Sequence, residues 1–343
     1  MEFGLSDDQR MMQESVGRTL ERVTPLEAVR AGASAFEALR ELGVPGVLIP
    51  ESEGGLGLTL LDAALIAEQL GRHVTRTPFV GSAVMAPLAL KGTPWLRKLA
   101  SGEIKAGVAL SEHASGARDG AGISVRNRRL SGRAMFALDT DGADILVIAD
   151  RFGDLHLVNA RDAGIVPLAT IDVTRSVARI ELNDVEAEPL GSAALERMID
   201  AGRIMLAADT LGAGERMIEK AVAYAKERKQ FGRVIGSFQA VKHMCAEMAA
   251  ELEPCRALVW YAAHAFDAMP ETSRLLAAQA KSHVSEVGQF VARTATEVHG
   301  GMGFTDLLGL HYWFKRIGFN RQVLGSPERA RHDAAVAQGW VGN

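Results

Sequence analysis

The sequence predicts an α+β fold, mostly α, with a helical N-terminal domain, a small middle β-barrel or sandwich, and a C-terminal four-helix bundle. Apolar residues recur at helical spacing before residue 100 and again after residue 193. Between them the pattern changes to short apolar or alternating runs punctuated by turn residues. Aromatic residues make up only 6% of the chain, which favours close-packed helices over a large sheet. The predicted domains are 1–104, 105–190 and 191–343.

Within the N-terminal domain, Ser6 and Gln9 form a capping box ahead of a helix whose apolar residues include Val16 and Leu20. Further helices are predicted at 35–42, 60–70 and 94–99. In the β domain the strands are predicted at 108–110, 123–125, 134–138, 145–149, 155–159 and 177–182, separated by turn residues such as Asp141 and Gly142.

The last domain is predicted to consist of long helices at 195–228, 237–266 and 272–298, and a final helix at 327–338. Ser237 is expected to be the N-cap of the second helix, and Pro254 is expected to bend it. Long helices joined by short loops predict an antiparallel four-helix bundle.

Composition and sequence motifs argue against nucleic-acid and membrane partners, disulfides and metal sites. The net charge is −4 and no basic stripe is present, so we expect no nucleic-acid partner. No apolar run reaches the length that spans a membrane and no signal peptide is visible, so we expect a cytoplasmic protein without a membrane partner. Cys245 and Cys255 lie in one predicted helix roughly 15 Å apart, too far for a disulfide. The sequence shows no metal-binding motif.

Two motifs suit a polyanionic ligand that carries a ring. Arg228-Lys229-Gln230-Phe231-Gly232 ends one long helix and provides a cation and an aromatic ring. Phe238 and Gln239 follow within the same stretch. His299-Gly300-Gly301-Met302-Gly303 ends another helix, and its glycines let backbone amides approach an anion without interference from Cβ atoms.

These motifs, in a chain ordered helical, β, helical, resemble those of the acyl-CoA dehydrogenase family of FAD enzymes. The resemblance implies that Arg228, Phe231 and Gln239, with Gln230 and Phe238, contact the FAD bound mainly by a neighbouring subunit. It also implies that Gly300 and Gly301 face the ADP part of that FAD. Glu297 stands where the family often has Gln, and its carboxylate would have to turn to the ribose hydroxyls. Electron-transfer flavoprotein is implied as the electron acceptor.

The resemblance also marks the residues that hold the flavin ring in family members. Ser111-Glu112 matches the family's hydroxyl and acidic pair in the first strand. Phe136-Ala137-Leu138 stands where the family has an aromatic residue followed by Thr, and Leu138 has no hydroxyl for the flavin. Ordinary strand roles for Ser111 and Phe136 remain an equal alternative.

The family's reaction removes an α-proton from an acyl-CoA, and this step requires a carboxylate as base. The two positions where family members carry that Glu correspond here to Gly202 and Leu324, neither of which can accept a proton. No catalytic residue is therefore predicted. Asp200 and Glu196 lie near Gly202, and we expect both to be surface carboxylates at the start of a helix. The aromatic and basic stretch from His311 to Arg316 is expected to pack and orient its segment.

Three functions remain open. The chain is expected to be the base-lacking subunit of a heteromeric (α2β2) acyl-CoA dehydrogenase, of the kind that acts on bulky thioesters such as steroid side chains. It would complete the FAD site of a catalytic homologue. The alternatives are a self-sufficient homo-oligomeric dehydrogenase with a displaced carboxylate, and a catalytically silent structural or regulatory member of the fold.

Overall fold

The computed structural model describes residues 4–342, and the helical, β, helical order predicted from the sequence is confirmed. The N-terminal part contains six α-helices: α1 (Asp7–Val23), α2 (Leu26–Arg30), α3 (Phe36–Glu41), α4 (Leu60–Arg72), α5 (Ala86–Ala89) and α6 (Trp95–Ala100). A π-helical turn, Phe79–Met85, leads into α5 and is fully buried. The predicted capping box is present, because Gln9 N donates to Ser6 Oγ and Ser6 N donates to Gln9 Oε1.

The middle part is one eight-stranded sheet. Its strands are β1 (Ala106–Ala109), β2 (Gly122–Arg126), β3 (Arg129–Leu138), β4 (Ile145–Ala149), β5 (Leu155–Asn159), β6 (Gly164–Pro167), β7 (Val177–Glu186) and β8 (Glu188–Gly191). Their order is β6-β7-β3-β1-β4-β5-β8, with β2 paired to β3, and β1 and β4 run parallel. Strands β6 and β8 were missed because each is short and mostly exposed.

Both faces of this sheet are covered. Along β4, Leu146 and Ile148 belong to a core inside the β part, whereas Ile145 and Val147 belong to the larger core shared with the helices. This alternation follows from the two-residue period of a strand. Ser111 was expected in the first strand, and this was wrong. Strand β1 ends at Ala109 and Ser111 begins a short helix, α7 (Ser111–Ser115).

The last part is helical. It contains α8 (Leu195–Glu227), a hairpin of β9 (Lys229–Gln230) and β10 (Arg233–Val234), α9 (Gln239–Ala268), α10 (Pro270–His299), α11 (Leu310–Gln322) and α12 (Pro327–Ala337). Helix α11 was not predicted from the sequence. Ser237 was expected to cap α9, and this was wrong, since its hydroxyl donates to the Val234 carbonyl in a short 3-10 turn. Helix α9 continues through Pro254.

Helix α8 crosses α4 at very short range. A Cβ atom added at Gly71 would lie 1.8 Å from the Asp209 carbonyl oxygen, and one at Gly212 would lie 1.9 Å from that of Glu68. Only glycine permits this approach. The crossing fixes α8 against the N-terminal part and so fixes the position of Gly202 on the same helix. Among residues 4–342 no helix is both long enough and apolar enough to cross a membrane.

A buried ionic network joins the sheet to the bundle. The Asp209 carboxylate on α8 accepts hydrogen bonds from Arg316 Nε and Nη2 at 2.9 and 2.8 Å and from Arg175 Nη2 at 2.8 Å. Asn320 Nδ2 donates to it at 2.6 Å. Burial alone would raise the pKa of Asp209, but the two guanidinium groups hold the pKa below its ordinary value. The expected packing role of the stretch around Arg316 thus has a specific form: Arg316 pairs with Asp209 inside the helical part, and its Nη1 donates to Thr174 Oγ1 of the β part at 2.8 Å.

Candidate functional site

The Arg228 motif forms a tight hairpin at the end of α8. Gln230 pairs with Arg233, so Phe231 and Gly232 are the two central residues of the turn. Both have positive φ, 52° and 78°, which defines a type I′ turn. Glycine adopts this conformation readily but a bulky residue does so at a cost of order 1–3 kcal/mol. The Phe231 side chain is 91% exposed, so packing within this chain does not compensate the strain.

The turn holds further ring and amide groups beside Phe231. The Phe238 ring meets the Phe231 ring edge-on at 6.1 Å between centroids, and the Arg233 guanidinium lies 4.0 Å from the Phe238 centroid. Gln239, the exposed first residue of α9, lies with Nε2 2.9 Å from His243 Nε2. Gln230 is exposed, and its amide donates to the neighbouring backbone.

The glycine motif lies at the same end of the bundle. The ring of His299, the last residue of α10, stacks on Tyr224 of α8 at 4.7 Å, and Tyr224 O accepts a hydrogen bond from Arg228 N. This contact brings the two motifs together in space although they belong to different helices. A Cβ atom added at Gly300 or Gly301 would have no other atom within 4 Å, so these residues border open space.

Glu297 lies in the exposed last turn of α10. Its carbonyl oxygen accepts the hydrogen bond from Gly300 N that ends the helix. The turn beyond it, Gly300–Phe304, ends in Phe304, whose side chain is 81% exposed. Together with the hairpin, this loop forms a surface that we call the lending surface: Arg228, Gln230, Phe231, Phe238, Gln239, Glu297, Gly300 and Gly301.

Ser111 and Phe136, two of the residues expected around a flavin ring, border a separate cavity of about 230 Å³ between the sheet and α11. Its walls include Ser111, Arg118, Phe136, Phe319 and Leu324. Ser111 Oγ accepts a hydrogen bond from Arg118 Nη1 at 2.9 Å, and the Arg118 guanidinium lies 4.7 Å from the Phe136 ring centroid.

Leu138 does not border this cavity. Its side chain is buried where β3 meets Val108 of β1, and it belongs to the core shared with the helices. The register of β3 shifts between Ala134 and Ala137, and Phe136 there has a φ of 52°. The bulge turns Phe136 toward the cavity and leaves Leu138 in the interior.

The two positions counted for the missing base lie together in space. A Cβ atom added at Gly202 would lie 2.4 Å from Leu324 Cδ1 and 2.8 Å from Met85 Sδ. Leu324 is 3% exposed and has a φ of 56°. A side chain at position 202 would therefore meet the apolar atoms of Leu324 and Met85. Met85, from the π-helical turn, was missed because its role depends on a contact between domains.

Arg203, the residue after Gly202, has a structural role. Arg203 Nε donates to the Leu324 carbonyl at 2.9 Å, and Nη2 lies 2.6 Å from Asp333 Oδ2 on α12. Nη2 also donates to Ala114 O at 3.2 Å. These contacts hold the backbone of Leu324 in place. The fully buried Arg203 therefore fixes the position of the apolar side chain that packs against Gly202.

The two nearby carboxylates differ. Glu196 is exposed as expected and pairs with Arg274 at 2.9 Å. The expectation that Asp200 is a surface residue was wrong, since it is only 4% exposed. Burial raises the pKa of Asp200 to about 6, against the opposing charges of Arg203 and Arg274. Helical position alone did not reveal this, because the burial comes from packing against other elements.

With this geometry established, comparisons with known proteins define the class. Residues 6–103 match the acyl-CoA dehydrogenase N-terminal domain and residues 191–338 match the acyl-CoA dehydrogenase C-terminal domain. The chain belongs to the acyl-CoA dehydrogenase family, whose members are FAD-dependent oxidoreductases acting on acyl-CoA.

Among relatives, the chain is 34% identical to acyl-CoA dehydrogenase IpdE2 of Mycobacterium tuberculosis (strain ATCC 25618 / H37Rv) over 94% of both chains. Among solved structures it resembles a Tcur3481-Tcur3483 steroid ACAD variant, with 27% identity, a TM-score of 0.87 and coverage of 97% of this chain and 98% of that one. It also has the fold of the ChsE4-ChsE5 complex from Mycobacterium tuberculosis, with 24% identity, a TM-score of 0.90 and full coverage of both chains.

The two halves of FAD fit this chain differently. The exposed cation, aromatic ring and open glycine backbone of the lending surface fit the ADP half. The cavity beside Phe136 does not fit the flavin ring as it stands, because the Arg118 guanidinium covers the ring of Phe136.

The strain at Phe231 gives a prediction that separates binding from stability. Phe231→Gly is expected to leave the free energy of unfolding unchanged or to raise it by up to about 1 kcal/mol, because glycine fits a type I′ turn. FAD retention by the assembled complex is expected to fall. Thermal melting and flavin absorbance measure the two effects. As a control, Gly232→Ala should destabilise the hairpin, since it introduces a side chain at positive φ. A large loss of stability in Phe231→Gly would contradict the prediction.

Proposed function

We propose that this chain is the non-catalytic subunit of a hetero-oligomeric acyl-CoA dehydrogenase and completes the FAD site of a catalytic homologue. The observation that carries the proposal is the contact among Gly202, Leu324 and Met85, which fills the base position with apolar atoms. An α-proton of an acyl-CoA has no carboxylate to receive it there. The base then has to come from a partner chain.

The lending surface supports the same assignment. Arg228 offers a planar guanidinium for pyrophosphate oxygens, and Gln239 offers an amide whose orientation is set by His243. Phe231 offers an aromatic face, and Gly300 and Gly301 let backbone N–H groups approach an anion. Packing within this chain does not compensate the backbone strain at the exposed Phe231, whereas a contact with FAD would.

In the complex, the residues of this chain bind and orient; none of them moves a proton. FAD, when bound, accepts the hydride that leaves the β-carbon of the acyl-CoA. Arg228 would neutralise charge on the pyrophosphate of bound FAD, and the hairpin would exclude water from the dinucleotide. Two of the structural relatives carry paired names, ChsE4-ChsE5 and Tcur3481-Tcur3483, which fits an assembly of two different chains. One of them is named a steroid ACAD, so we propose a bulky acyl-CoA thioester as substrate. Membership of the family is the ground on which electron-transfer flavoprotein is proposed as acceptor.

Flavin absorbance of the purified chain, alone and co-expressed with a homologue from its own genome that carries the catalytic Glu, tests this function. We expect a colourless protein alone. The co-expressed complex should be yellow, contain about one FAD per heterodimer, and bleach on addition of an acyl-CoA. A yellow chain that bleaches by itself would overturn the proposal, and a complex that never binds FAD would leave only a structural or regulatory role.

A second candidate function, a self-sufficient homo-oligomeric dehydrogenase, is favoured by one observation. Asp200 has a pKa raised to about 6 by burial, which is suitable for a general base near neutral pH. Against it, Asp200 is not among the residues that border the cavity beside Phe136. Bleaching of the isolated chain in the experiment above would favour this second function.

A further inference from the structure

The cavity beside Phe136 is already occupied on one side by a residue of the chain itself. Arg118 lies in the segment between α7 and β2, and its guanidinium covers the Phe136 ring at 4.7 Å while Nη1 donates to Ser111 Oγ at 2.9 Å. Arg118 therefore contacts both Ser111 and Phe136, the residues that the family resemblance places beside the flavin ring. One planar cation takes an aromatic face and a hydroxyl acceptor together.

The position of Arg118 is determined by the structure on either side of it in the chain. Helix α7 is tied to β3, because the Glu112 carboxylate accepts a hydrogen bond from Met135 N at 2.8 Å. On either side of Arg118, Gly116 and Gly120 have positive φ values of 94° and 74°. These glycines turn the chain back over the cavity, a conformation that other residues adopt only with strain.

The geometry points to Arg118 as a residue that closes this chain's own flavin-ring cavity, so that the chain contributes to only one of two possible FAD sites. This inference rests on the proposed function and deepens it, since it names what keeps the second site empty. A ring stacking on Phe136 would have to displace the guanidinium from the aromatic face and break its bond to Ser111. The opposite wall, formed by Ile171, Phe319 and Leu324, provides no carboxylate to receive the displaced cation.

Riboflavin tests the inference, because it carries the isoalloxazine ring but lacks the ADP half that the lending surface would bind. Quenching of riboflavin fluorescence is measured with the isolated chain. We expect no saturable binding to the wild-type chain. Arg118→Ala should bind saturably with a stoichiometry near one, and its affinity should be at least about tenfold higher than that of the wild type.

Arg151→Ala is the matched control. Arg151 also stacks on a phenylalanine, Phe152, at 4.7 Å, but it does not border this cavity. This variant should behave as the wild-type chain does. If Arg118→Ala does not fold, Arg118→Ser provides the same test with a small polar side chain in place of the guanidinium.

Three outcomes overturn the inference. Saturable riboflavin binding by the wild-type chain that Arg118→Ala weakens would make Arg118 a flavin ligand. Wild-type binding that the variant does not change would show an open cavity. A folded Arg118→Ala or Arg118→Ser chain without binding would show that other residues close it. The measurement uses the isolated chain and no acyl-CoA, so its failure leaves the FAD content of the co-expressed complex as a separate test of the proposed function.

Discussion

Arg228→Ala is expected to lower the affinity of the co-expressed complex for FAD by roughly 10- to 100-fold. A hydrogen bond to a charged group is worth about 1.5–3 kcal/mol, and each 1.4 kcal/mol changes a dissociation constant about tenfold. Arg228 has no ion pair among residues 4–342, so its removal breaks no salt bridge within the described part of the chain. Reconstitution of the deflavinated complex with FAD, followed by flavin fluorescence, measures the change.

Two further variants test whether the loss of FAD affinity comes from a direct contact with Arg228. Arg228→Lys keeps the charge but loses the planar fork, so an affinity between those of wild type and Arg228→Ala is expected. Lys226→Ala removes an exposed cation two positions earlier, on a different face of α8. This control should retain wild-type affinity. Equal losses in Lys226→Ala and Arg228→Ala would indicate general electrostatic attraction and would contradict a direct contact.

The lending surface is a prediction that the sequence allows because its parts are local. Arg228 and Phe231 lie in one turn, and Gly300 and Gly301 are adjacent, so each motif and its family resemblance can be recognised in a short stretch. Their proximity in space could not be derived from spacing, because it depends on the stack of Tyr224 on His299 across two helices.

Counting from the two motifs to the positions where family members carry the base gives Gly202 and Leu324, and this assignment stays a prediction. The residues packed against Gly202 could not be predicted. Met85 acts through a contact with Gly202 of α8, which lies far away in the chain. Arg118 contacts Ser111 and Phe136, which lie nearer in the chain, but only because its segment folds back over them, so no local pattern marks either residue. The burial of Asp200 was missed for the same reason, because its helix has apolar neighbours on every side and a weak amphipathic signal.

The largest effect on stability is expected at Asp209, which the sequence analysis did not single out. Its carboxylate binds Arg175 and Arg316, partners 34 and 107 residues away, and all three side chains are buried. Asp209→Ala removes the carboxylate that both buried guanidinium groups contact most closely, and leaves Arg316 with only the more distant Asp172 Oδ2 at 3.9 Å. Removal of one partner from a buried ion pair costs about 3–5 kcal/mol, because the remaining charge is uncompensated. Thermal melting at constant protein concentration should show a Tm lower by about 5–10 °C.

Glu14→Ala is the matched control, because Glu14 pairs with Arg18 at 3.4 Å on an exposed helix face. An exposed pair contributes at most about 1 kcal/mol, so this variant should melt close to the wild-type chain. If Asp209→Ala also melts close to the wild type, the network does not hold the sheet to the bundle.

The lowered pKa of Asp209 predicts how the destabilisation by Asp209→Ala changes with pH. The folded pKa of Asp209 lies below its ordinary value, so its ionised form stabilises the fold. That contribution is fully present above the unfolded pKa of about 3.9 and is lost as pH falls through the folded pKa. The difference in unfolding free energy between wild type and Asp209→Ala should therefore be constant near neutral pH and should shrink below about pH 4. A difference that grew on acidification would mean that Asp209 stabilises the fold in its protonated form, as a neutral hydrogen-bonding group between the two arginines.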